Sequence, residues 1–169
     1  MTWEQEILKY SDVDASTERR LKMYCHPAPK YLQDIAKHYN DKITVLVNWD
    51  VKCVNRHGFV IMPNEEDSTN EISIFLNPYT FPWTKQYIEQ QYEKGYIVDV
   101  REVVIWVLLH EIGHVMTGSL DDKEADRWMI GKIREVKKNF LIPHLDREGV
   151  SIDDNRSFPM YQHQRSSPE

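Results

Sequence analysis

Val103-Val104-Ile105-Trp106-Val107-Leu108-Leu109-His110-Glu111-Ile112-Gly113-His114 is the stretch on which the fold turns. Seven consecutive apolar residues lead into two histidines and a glutamate, and Asp99 with Glu102 three positions later forms a capping box just upstream. With Val100 and Val103 to Leu109 apolar nearly all round, the pattern predicts a helix buried at the centre of a domain. Two polar imidazoles and a carboxylate at the end of such a helix are costly unless they have work to do. A random shuffle of this composition yields His-Glu-x-x-His about 0.02 times, so chance is a poor account of it.

His110 and His114 stand one helical turn apart, so their rings project from one face and can reach a single tetrahedral Zn2+. Glu111 is rotated about 100° from His110, which places its carboxylate beside such a metal, where it can take a proton from the metal's water. A third ligand must come from the acidic run Asp121-Asp122-Lys123-Glu124-Ala125-Asp126. If Gly118 caps the helix and residues 119–121 form the turn, a second helix returns antiparallel and brings residues 122–126 level with the histidines. With Met129 at the centre of its inward face, Asp122 lies about 20° away, Asp126 about 60° and Glu124 about 140°. Phase therefore favours Asp122 as ligand and Asp126 as the acceptor for the other ring nitrogen of a metal-bound histidine. Because helix starts are uncertain by a residue or two, Asp126 and Glu124 stay open as alternatives.

Outward from this hairpin, Leu32, Ile35, Ala36 and Tyr39 recur at helical spacing after Pro29, and Asn40-Asp41 ends the pattern. Three short β-branched runs follow, Ile43 to Val47, Gly58 to Met62 and Ile72 to Leu76, the last two joined by a polar loop over residues 63–70. A polar helix is expected from Thr84 to about Lys94, and the acidic helix is expected to run to about Phe140, before Pro143. The fold class is α+β: a helix, a small three-stranded mixed sheet, the buried histidine helix and the antiparallel acidic helix. Residues 1–28 read as a helical preamble, 29–145 as the domain, and 146–169 as a polar tail.

The 169 residues carry 21 Lys+Arg and 27 Asp+Glu, a net charge of −6, without a basic cluster, which excludes the usual footprint of a nucleic-acid binder. The longest apolar run, seven residues, is far short of the ~20 that span a bilayer. Residues 1–10 lack the pattern of a secretory signal, and Cys25 and Cys53 form no CxxC, so the expectation is a cytoplasmic protein with reduced thiols and no membrane partner. A chain of this length buries enough core to fold without a metal staple.

His110-Glu111-Ile112-Gly113-His114 followed by Glu124-Ala125-Asp126-Arg127-Trp128 resembles the zincin metallopeptidases, specifically the gluzincin-like ImmA/IrrE family, over about residues 29 to 140. Relatives usually carry a glutamate four residues before the Asn or Asp of the acidic helix; Asp122 holds that place here. The resemblance implies a minimal zincin fold and hydrolysis of a peptide or protein substrate, with Zn2+ on His110, His114 and Asp122 and with Glu111 as general base. It also implies that Ile72, Ser73, Ile74, Phe75 and Leu76 form the edge strand to which an extended substrate adds. Tyr79, His144, Tyr161 and His163 are the unplaced candidates for stabilising an oxyanion. The rival reading is a regulatory or sensor protein that uses the same metal fold to bind a partner such as a repressor, without turnover.

Overall fold

A computed structural model describes Arg19 and residues 29–47, 57–63, 66, 70–81, 84, 88 and 100–147. The expected preamble apart from Arg19, most of the polar loop over residues 63–70, the greater part of the helix from Thr84 to Lys94, both cysteines, Asp99 and the tail after residue 147 lie outside the described residues. The class is α+β. Helix α1 (Lys30–Tyr39) precedes strands β1 (Ile43–Val47), β2 (Gly58–Ile61) and β3 (Ile72–Leu76), a single 3-10 turn (Pro78–Thr80), then helices α2 (Val100–Thr117), α3 (Asp122–Val136) and α4 (Ile142–Arg147). No single helix among the described residues is long and apolar enough to cross a membrane.

Helix α2 is the axis of the core. Val103 to Leu109 and Ile112 are all buried, as the absence of a polar stripe requires, and α1, β2, β3 and α3 pack around them. Each such side chain withdrawn from water contributes about 2 kcal/mol. Helix α1 presents Tyr31, Leu32, Ile35 and Ala36 to this core, and α3 presents Ala125, Met129, Ile133 and Val136.

The sheet order is β1-β3-β2. Strand β3 lies in the middle, parallel to β1 from Ile43↔Ile72 to Val47↔Leu76 and antiparallel to β2 from Gly58↔Leu76 to Ile61↔Ser73. This corrects the expectation that residues 72–76 form an edge. Both sides of the β3 backbone are already paired, so no substrate strand can add to it. Its alternation of buried Ile72, Ile74 and Leu76 reflects core packing on one face of a central strand.

The two outer edges differ. On β1, the Gln33 amide of α1 acts as a substitute strand: Nε2 donates to Ile43 O at 2.8 Å and Oε1 accepts from Val45 N–H at 2.9 Å. On β2, Asn77 N–H donates to His57 O at 2.7 Å, which identifies His57–Asn77 as a hydrogen-bonded pair. By antiparallel alternation Phe59–Phe75 and Ile61–Ser73 are the next such pairs, so Gly58 and Val60 turn their N–H and C=O groups outward. Among the described residues no strand covers that side of β2.

The acidic helix ends sooner than expected. Regular α structure stops at Val136, a widened π turn occupies Lys137–Leu141, and Ile142 N–H donates to Lys137 O. That turn resets the chain so that Pro143 falls in the first turn of α4, where a missing N–H costs nothing. It also buries the Lys137 ammonium 3.3 Å from Glu102 Oε1 near the start of α2, with both side chains 1 % exposed.

Candidate metal centre

The hairpin between α2 and α3 is built by local hydrogen bonds that leave little freedom. Gly118 takes φ +68°, which an L side chain resists, and donates its N–H to His114 O at 3.1 Å. Thr117 Oγ1 donates to Gly113 O at 2.7 Å, and Asp121 N–H donates to Ser119 Oγ at 3.0 Å. Asp121 then caps α3 by accepting from Lys123 N–H at 2.9 Å. Close packing completes the apposition. A Cβ on Gly113 would lie 2.8 Å from the carbonyl oxygen of Ala125 and 3.1 Å from its Cα, so glycine at 113 permits this approach.

The approach brings His110, His114 and Asp122 together as a group that could hold a metal ion. His110 Nε2 and His114 Nε2 are 3.2 Å apart, and Asp122 Oδ1 is 3.2 Å from the first and 3.1 Å from the second. Tetrahedral ligands on a cation at 2.0–2.1 Å are separated by about 3.3 Å, so the triangle is nearly the right size.

The outer ring nitrogens settle which atoms can ligate. His114 Nδ1 lies 2.8 Å from Ser119 O, a carbonyl that can only accept, so Nδ1 carries the hydrogen. His110 Nδ1 likewise faces Asp126 Oδ1 at 2.7 Å. In the neutral rings both Nε2 lone pairs then point into the triangle beside a carboxylate oxygen. Burial disfavours charge on His110. The hydrogen bond to Asp126 and the charges of Glu111, Asp126 and Asp122 outweigh it and raise the pKa above its ordinary 6.5. The place attracts positive charge. Two imidazole nitrogens and one carboxylate oxygen are donor types that divalent transition-metal ions accept.

Asp126 thus holds a ring in place, and Glu124 lies exposed outside the triangle. Glu111 is not in the ligand group either. It is only 6 % exposed and rises between α2 and β2, with its Cγ 3.4 Å from where a Cβ on Gly58 would stand. Residues 72–76 sit in the sheet centre, away from the open edge. His144 stacks on Tyr31 of α1 with ring centroids 4.3 Å apart, so its ring faces α1. Tyr161 and His163 lie outside the described residues, as does the side chain of Tyr79.

One residue near the centre had no signal in the sequence. His57, directly before Gly58, hydrogen-bonds through Nδ1 to Thr84 Oγ1. Thr84 spends its only hydroxyl hydrogen on Thr80 O at 3.0 Å, so His57 Nδ1 is the donor. Burial first, and then the proximity of His110, push the His57 pKa down to about 3, so the ring is neutral across the physiological range. A lone histidine between Arg56 and Gly58 offers no spacing to read; only the sheet register brings it to this end of β2.

The chain was compared with protein-family models, with curated proteins and with solved structures, and none matches it.

Proposed function

We propose that this chain is a zinc-dependent peptidase of the zincin type. The observation that carries the reading is the convergence of two Nε2 lone pairs and the Asp122 carboxylate within 3.2 Å, with Glu111 buried beside them on the same helix. His110, His114 and Asp122 would hold the ion. Bound zinc supplies Lewis acidity, which polarises a carbonyl and brings the pKa of water from 15.7 toward ~7.

The chain's own residues do the rest. Glu111 accepts the proton of the attacking water and returns it to the departing amine, a task suited to a carboxylate enclosed by α2 and β2. Asp126 and Ser119 O fix both histidines with Nε2 inward. An extended peptide lies along β2, bonded by the outward N–H and C=O of Gly58 and Val60, so that its scissile carbonyl reaches the metal group from the Glu111 side.

The test pairs metal analysis with turnover. Parent and Glu111→Gln proteins, both expected to hold one zinc per chain, are incubated with a pool of proteome-derived peptides, and new termini are read by mass spectrometry. Loss of about 100-fold or more in the variant supports the reading. Equal cleavage by both, or no stoichiometric zinc in the parent, refutes it. The 80 % exposure of Asp122 favours one rival, a sensor that binds a partner through the metal group without turnover. In that case Glu111→Gln leaves partner binding intact and the parent cleaves nothing.

A further inference from the structure

The sequence treats the two outer strands differently. On β1 the Gln33 amide occupies the outward groups of Ile43 and Val45. On β2, Gly58-Phe59-Val60-Ile61-Met62 carries no ionisable side chain and no proline before Pro63, and its register with β3 runs from Gly58↔Leu76 to Ile61↔Ser73 without a bulge. Lysine, proline and bulges are the usual means of keeping an edge from pairing with another chain, and residues 58–62 have none of them. Ile61 is 51 % and Met62 57 % exposed, so this apolar segment meets water.

Gly58 turns toward Val107 and Glu111 of α2, so by alternation Phe59 lies on the opposite face of the sheet. There a row of apolar side chains crosses all three strands and stops at the open edge: Leu46 of β1 is paired with Phe75 of β3, and Phe75 with Phe59 of β2. The two phenylalanine rings are stacked with centroids 4.9 Å apart and planes 13° apart, and Leu46 is exposed at the other end of the row. Phe59 directs its own N–H and C=O to Phe75, so on the open side it stands between the outward groups of Gly58 and Val60. That arrangement is its own complement. An identical strand laid antiparallel with Phe59 facing Phe59 sets Gly58 opposite Val60 on both sides of the axis, and each such pair exchanges both N–H···O=C bonds. The same two-fold axis doubles the row, Phe59 of one copy meeting Phe59 of the other across a close, non-hydrogen-bonded pair.

We infer that the open edge of β2 pairs with β2 of a second copy of this chain, about a two-fold axis at Phe59, joining the two sheets into one. Charge favours this place for a copy to meet its twin. With a net charge of −6 two copies repel each other, and an uncharged strand is where they can approach. Area sets the strength. One short edge and one row of side chains fall below the ~1,200 Å² of a stable complex, so the dimer is weak and reversible. Its consequence for activity rests on the peptidase reading: the copy takes up the same groups of Gly58 and Val60 that would hold a substrate, which makes the dimer the latent form and the monomer the open one. The pairing itself is measured without turnover.

Sedimentation equilibrium of the full chain is expected to show a monomer–dimer equilibrium with Kd on the order of 100 µM, tightening as salt screens the repulsion between like-charged copies. Val60→Pro removes an outward N–H while leaving the ladder to β3 in place, and should weaken association at least about tenfold. Ile61→Lys places a charge diagonal to the second copy's Phe59 and should weaken it similarly at an unchanged melting temperature, which covers the case that proline at 60 disturbs folding. Register is read by cross-linking with Cys25→Ser and Cys53→Ser in the background. Under mild oxidation Phe59→Cys should bridge to its own counterpart, with Cα atoms about 4.5 Å apart, whereas Ile61→Cys, about 14 Å from its counterpart, should not. A parent that stays monomeric to about 1 mM overturns the proposal, whether another segment of the chain or water covers β2. So does a dimer that survives both Val60→Pro and Ile61→Lys, or one that bridges through position 61 as readily as through 59. A chain that dimerises in this register but cleaves nothing refutes the peptidase reading alone.

Discussion

Replacing Gly113 by alanine puts one methyl group where the two helices of the metal hairpin touch. Its Cβ would meet Ala125 O at 2.8 Å, Ala125 Cα at 3.1 Å and Ala125 C at 3.3 Å, whereas ordinary contact begins at 3.4 Å. All three atoms are backbone, so no rotamer can relieve them, and α3 must retreat by roughly 0.6 Å at Ala125. Asp122 and Asp126 flank that residue and move with it. Metal sites tolerate ligand displacements of about ±0.2 Å, so the triangle opens beyond what a cation accepts. Overpacking costs about 1–3 kcal/mol, offset by about 1 kcal/mol from replacing a helical glycine. The expected result is zinc affinity lower by roughly 10- to 100-fold, of the order seen when a ligand's support is lost, with a modest drop in stability. Competition with a chromophoric chelator measures the first and urea unfolding of the metal-free protein the second. Gly131→Ala is the control: a Cβ there meets nothing within 4 Å, so stability should rise by about 1 kcal/mol with affinity unchanged. Parent-like zinc affinity in Gly113→Ala would show that the close helix approach does not set the ligand geometry.

Three further outcomes follow from the same structure. Asp126→Ala removes the acceptor of His110 Nδ1–H and should weaken zinc binding about 10- to 100-fold by the chelator assay, while Glu124→Ala, outside the triangle, leaves it unchanged. Gln33→Leu orphans Ile43 O and Val45 N–H, which should cost about 2 kcal/mol in urea unfolding and expose a second sheet edge, seen as concentration-dependent association in light scattering. His57 has its folded pKa pushed down to about 3 against about 6.5 unfolded. Its contribution is thus fully present above pH 6.5 and declines as pH falls toward 3, by at most ~1.4 kcal/mol per pH unit. In chelator, the stability difference between parent and His57→Gln should shrink over that window, and a pH-independent difference refutes the neutral-ring assignment.

Much of this fold is legible because period and phase are local properties. The 3.6-residue recurrence of Leu32, Ile35 and Ala36 marks the buried face of α1, and the uniformly apolar Val103 to Leu109 marks a central helix. The same phase rule sets Asp122 and Asp126 apart from Glu124, and Gly118 marks the turn by its need for positive φ. Strand order is another matter. Ile72 to Leu76 alternates buried and half-buried residues as an edge or a central strand would, and only the partners on either side distinguish them. Gln33 holding β1, His57 meeting Thr84 and Lys137 meeting Glu102 are pairings between distant parts of the chain, and no local spacing encodes them. The π turn escapes for a related reason, since a helical pattern ahead of Pro143 is the same whether the chain stops or widens by one residue.

The Glu102–Lys137 contact gives the hairpin a latch at the end opposite its ligands. Both charges are sealed from water, so removing one partner alone leaves the other uncompensated and costs several times what breaking an exposed pair would. The Gly113–Ala125 packing and this contact hold the two helices at both ends of the hairpin without an ion. Zinc uptake should then resemble filling a socket, with little heat-capacity change and no gain of helical circular dichroism, unlike a finger domain that folds around its ion.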